Sequence, residues 1–123
     1  MAAADVPAEI LVFEDADRSL APLSDALRFA GHRVDVATTL AELGDAFVEA
    51  GGHAALILAP GLSDPLAARA AQVLNTVDPA IRILVFGHLA RGGPWPEAAV
   101  VRLGAHHPAA PTALGAVLRQ LAS

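Results

Sequence analysis

The apolar positions of this chain fall into short dense runs, separated by longer stretches in which they recur every three or four residues. The dense runs are Ile10-Leu11-Val12-Phe13, Val34 to Ala37, Ala54 to Leu58, Ile81 to Phe86 and Val100 to Leu103. Their length and their Val, Ile and Leu content predict strands buried on both faces. Helix patterns lie between them. Leu20, Leu23, Leu27 and Ala30 share one face, with Asp17 or Ser19 as the expected cap and Gly31 as the stop. Thr39 followed by Glu42 predicts a capping box for a helix carrying Leu40, Leu43, Phe47 and Ala50, ended by Gly51-Gly52. Leu66, Ala70, Val73 and Leu74 mark a third helix that Asp78-Pro79 closes. Leu114, Val117, Leu118 and Leu121 mark a last one over Thr112 to Leu121.

Strands alternating with helices predict an α/β protein with a parallel sheet covered on both sides. Right-handed crossovers leave few arrangements for five such strands, and a doubly wound sheet in the order 2-1-3-4-5 is favoured. Its functional crevice lies at the carboxyl ends of strands one and three, where Glu14, Asp15 and Ala59 are expected to converge. Between Gly87 and His107 there are too few residues for a full helix plus the fifth strand, so a short or irregular fourth helix is expected. No repeat, linker or low-complexity tail interrupts the pattern, and residues 1–123 read as a single domain.

Composition then excludes several functions. A net charge of −5, with the eight Lys and Arg residues scattered rather than striped, argues against nucleic-acid binding. The absence of cysteine excludes disulfides and thiolate chemistry and makes a cytoplasmic protein the expectation. No apolar run approaches the roughly 18–20 residues of a membrane span, and Met1 to Pro7 lacks the basic and apolar regions of a signal peptide.

Three segments carry a family resemblance. Ile10 to Asp15, the strand ending at Leu58 and the run His107-Pro108-Ala109-Ala110-Pro111 resemble the bacterial response-regulator receiver domain, across nearly the whole chain. The resemblance implies a flavodoxin-like fold and a two-component or phosphorelay signalling role. In the family an acidic pair holds Mg²⁺, an Asp ending strand three takes the phosphoryl group, and a Thr or Ser ending strand four and a Lys before a Pro read the result. By position the acidic pair is Glu14 and Asp15. The acceptor falls on Ala59, the switch on Gly87 and the lysine on His107, and each is a departure.

Chemistry gives the departures a meaning. Ala59 offers no carboxylate nucleophile, Gly87 has no hydroxyl to follow a phosphoryl oxygen, and His107 presents an imidazole in place of a lysine ammonium. Glu14 and Asp15 alone predict at most weak Mg²⁺ binding, with no other cofactor. The expectation is a degenerate receiver that takes no phosphoryl group, is not an enzyme and acts by protein–protein contact. Its expected partners are a histidine kinase, a phosphotransfer protein or another receiver, with a homodimer as a further option. The contact is expected around Trp95, Val101 and Arg102, with Trp95 between two prolines and largely exposed. His53 is expected at the surface. A second reading collects His88, His106, His107, Glu14 and Asp15 at one rim of the sheet, as the ligands of a transition-metal sensor or hydrolase.

Overall fold

The strands β1 (Glu9–Phe13), β2 (Arg33–Ala37), β3 (Ala55–Leu58), β4 (Arg82–Val85) and β5 (Val100–Arg102) form one parallel sheet in the order β2-β1-β3-β4-β5. The structure is a computed structural model that describes residues 7–87, 95–96, 99–103, 107–108 and 110–122. Four α-helices are seen among those residues: α1 (Ala21–Phe29), α2 (Leu40–Ala50), α3 (Asp64–Val77) and α4 (Pro111–Ala122). Because β1 to β2 runs one way across the sheet and β2 to β3 to β4 the other, right-handed crossovers put α1 on one face and α2 and α3 on the opposite one. The final helix α4 packs against α1. The expected short fourth helix falls mostly in a stretch outside the described residues.

Burial explains why these segments are strands. All residues of β3 are buried, as are Ile10 to Phe13 of β1 and Ile83 to Val85 of β4. Each such Leu or Ile side chain contributes about 1.5–3 kcal/mol relative to exposure. The edge strand β5 is only partly covered. In β2 the apolar alternation is broken by a half-buried Asp35. Phe13 pairs with Leu58 and Leu58 with Val85, so the three central strands end level with one another.

The helix ends follow local chemistry, with one exception. Thr39 caps α2 by accepting the Glu42 N–H at 3.1 Å, and Gly51 terminates the helix with φ at 75°. Ser63 caps α3 by accepting the Leu66 N–H. For α1 neither Asp17 nor Ser19 serves: its N-cap position is Leu20, with no side-chain cap of its own. The Leu20 N–H instead donates to the Glu14 carboxylate at 3.0 Å, so the cap comes from the end of β1. Val73, expected on the inner face of α3, is turned outward, and small Ala67, Ala70 and Ala71 with Leu74 line that face instead.

Candidate functional site

At the carboxyl ends of β1, β3 and β4 the hydrogen-bond ladder continues one residue beyond the strands. Glu14 N–H donates to Ala37 O at 3.0 Å, Ala59 N–H to Phe13 O at 3.0 Å and Phe86 N–H to Leu58 O at 3.2 Å. Glu14 and Ala59 are thus brought together as expected, and both are fully buried. A carboxylate at 0% exposure must have both oxygens satisfied. One oxygen of Glu14 takes the Arg18 guanidinium in an ion pair, and the other accepts the Leu20 N–H. Charge-assisted bonds of this kind are the strong ones. They leave Glu14 holding the turn from β1 into α1 rather than facing an open site. A cation at Glu14 would have to displace Arg18.

Asp15 is half-buried, and its Oδ1 accepts the Ser19 hydroxyl at 3.3 Å. Its carboxylate lies directly over Gly61, where a Cβ would come within 2.6 Å of Asp15 Cγ. The loop after β3 therefore comes close to the end of β1, and a larger residue at Gly61 would have to push the Asp15 carboxylate aside. A second close approach closes the other side. Gly87 has φ at +75°, and a Cβ there would lie 2.5 Å from Pro60 Cβ and 3.2 Å from Pro60 Cα. The segment Ala59-Pro60-Gly61 is wedged between the acidic pair and the end of β4. Ala59 puts a fully buried methyl group at the end of β3, and Pro60 occupies the space a side chain on Gly87 would take.

The remaining expected residues divide. His107 is exposed, whereas His88 and His106 lie outside the described residues. Among the described residues, Glu14, Asp15 and His107 do not form a group with metal-ligand spacing. Val101 is partly exposed and Arg102 exposed on β5, and Val101 lines a cleft of about 600 Å³ with Asn75, Ile81 and Pro96. Trp95 is a correction. It is 7% exposed and belongs to the core, with the Arg102 guanidinium over its ring at 5.8 Å. The flanking prolines suggested a surface turn, but an indole buries enough apolar area to outweigh that local preference, and the cation stacks on its remaining face.

His53 is the other correction, at 4% exposure rather than on the surface. Its ring packs against Phe47 of α2 and its Nε2 lies 2.9 Å from Asp35 Oδ2. The sequence signal for this pair was Asp35 itself, a charged residue inside the apolar run Val34 to Ala37.

No family model and no curated protein matches the chain. Solved structures do. A chain of the complex between the histidine kinase ThkA and the response regulator protein TrrA superposes with a TM-score of 0.67 at 19% identity, covering 94% of this chain and 98% of that one. A response-regulator receiver domain protein from Clostridium thermocellum gives 0.62 at 18% identity, covering 92% and 95%. A putative pilus assembly-related protein from Burkholderia pseudomallei gives 0.61 at 25% identity, covering 93% and 88%. The chain has the flavodoxin-like fold of response-regulator receivers, with the sheet order that fold requires. No helix among the described residues is long and apolar enough to cross a membrane.

Proposed function

We propose that this chain is a receiver-like signalling domain that takes no phosphoryl group and works through protein–protein contact. The observation that carries the reading is Ala59, a fully buried methyl group at the end of β3, beside a Glu14 carboxylate already bonded to Arg18 and to Leu20 N–H. An acyl phosphate needs a carboxylate nucleophile at that place, and a receiver switch needs a hydroxyl where Gly87 stands. The close approaches of Pro60 to Gly87 and of Asp15 to Gly61 support a crevice held in one state.

The partner in this reading is a histidine kinase, a phosphotransfer protein or another receiver. A structural neighbour from a kinase–regulator complex supports the first. The contact face we assign includes Val101 and Arg102 of β5, beside the cleft with Asn75 and Pro96, and no longer Trp95 as an exposed anchor. The test is binding of this chain to a candidate kinase or receiver with and without a phosphoryl donor. Equal affinity under both conditions, weakened by Val101→Asp, supports the reading. Affinity that changes several-fold with the donor refutes it.

A further inference from the structure

The amino ends of the strands, opposite the crevice, hold a second cluster. Glu9 opens β1, Asp35 is the middle residue of β2, and His53 lies two residues before β3. One ligand atom from each lies within 4.8 Å of the other two. His53 Nε2 and Asp35 Oδ2 are 2.9 Å apart. The His53 side chain is fully buried, and among the described residues its Nδ1 has no partner. The buried ring holds Nε2, the nitrogen nearest Asp35, towards the two carboxylates. A purely structural core position would favour an apolar residue.

We propose that Glu9, Asp35 and His53 form a transition-metal site of the zinc type, clipping the start of β1 and the middle of β2 to the segment that leads into β3. One imidazole nitrogen with two carboxylates is a borderline ligand set that suits Zn²⁺ and disfavours Mg²⁺, which prefers oxygen throughout. At bond lengths of about 2.0–2.2 Å, ligand atoms in a tetrahedral site stand roughly 3.3–3.6 Å apart. The Asp35–His53 pair is already near that spacing, and the flexible Glu9 side chain supplies the rest of the closure. Among the described residues Glu9 is paired with Arg33, whose Nε lies 3.3 Å away and whose side chain is 78% exposed. Such a surface pair is weak and yields readily to a divalent ion.

The surroundings suit a cation. Glu9 and Asp35 open into a groove of about 730 Å³ whose walls also carry Glu42, Asp45 and Glu49. Against these five carboxylates stand the guanidiniums of Arg28 and Arg33, together with His32. The negative excess raises the local cation concentration. The groove also provides the entry path and leaves a fourth position for water.

The experiment uses the full, untagged chain with Co²⁺ and Zn²⁺ alone as probes. Visible d–d absorption should report one Co²⁺ per chain with nitrogen and oxygen ligands, displaced by stoichiometric Zn²⁺ but not by millimolar Mg²⁺. Zn²⁺ should raise the thermal midpoint, as any ligand of the folded state does. Asp35→Asn and Glu9→Gln, both at partly exposed positions, should weaken Zn²⁺ binding at least tenfold, while Asp15→Asn leaves it unchanged. His53→Gln should abolish it, and should that variant fail to fold, the two carboxylate variants decide. Absence of Co²⁺ absorption at millimolar metal overturns the proposal. So does binding that survives both carboxylate variants, or that is lost in His107→Ala while Asp35→Asn retains it.

Discussion

Pro60 fills the space that a side chain on Gly87 would need, with its Cβ 2.5 Å from where a Gly87 Cβ would stand. The loops after β3 and β4 interlock through that contact. Gly87 is therefore required by packing as well as by its φ of +75°, and its lack of a hydroxyl is one consequence of how the crevice closes. Gly87→Thr should lose about 2–5 kcal/mol, combining a β-branched residue at positive φ with overpacking against Pro60. Urea denaturation checks this. Adding Pro60→Gly should restore only part of the loss, since it removes the Cβ that Gly87→Thr would strike but not the backbone strain.

Arg18→Ala should destabilise the chain by about 1–3 kcal/mol, because it leaves the buried Glu14 carboxylate with the Leu20 N–H alone. Arg18 has φ at 56°, and alanine carries the same backbone penalty, so the difference reports the guanidinium. Amide exchange at Leu20 should quicken in the same variant. An unchanged midpoint would mean that solvent reaches Glu14.

At the start of α2, hydrogen bonds from the Thr38 backbone N–H, from its hydroxyl and from the Thr39 backbone hold Glu42 below the usual carboxylate range. A carboxyl whose folded pKa is depressed stabilises the fold above its unfolded pKa. That contribution is lost as pH falls through the folded value. The first turn of α2 should accordingly loosen on acidification below about pH 4–5, seen as faster amide exchange at Thr38 and Glu42. Glu42→Gln should remove the pH dependence there. A Gln variant with the same acid limb as the parent would contradict the assignment.

Most of the architecture was legible because it rests on local pattern. Strand runs such as Ala55 to Leu58 are buried on both faces, and the Thr39–Glu42 box is read from three-residue spacing. Convergence of Glu14 with Ala59 followed from sheet order alone. What escaped was non-local. The Glu14 carboxylate caps a helix six residues on, a role no capping motif encodes. His53 follows two glycines and resembled a loop residue, yet Phe47 and Asp35, on different elements, enclose it. Gly87 carried no sign of the Pro60 contact that makes it necessary.

Trp95 offers a test at the segment before β5. With the indole 7% exposed and Arg102 over the ring, emission from this single Trp should be blue-shifted and resist acrylamide quenching in the free chain. Arg102→Ala should shift it modestly to the red by uncovering one face. Red-shifted, readily quenched emission in the parent would return Trp95 to the surface.

The central claim is that the crevice around Ala59 accepts no phosphoryl group, and intact-mass spectrometry tests it most directly. After incubation with acetyl phosphate and Mg²⁺, the chain should keep its unmodified mass under conditions that label an active receiver run alongside it. A stoichiometric gain of one phosphoryl group, base-labile and mapped to Asp15 or Asp64, would contradict the account.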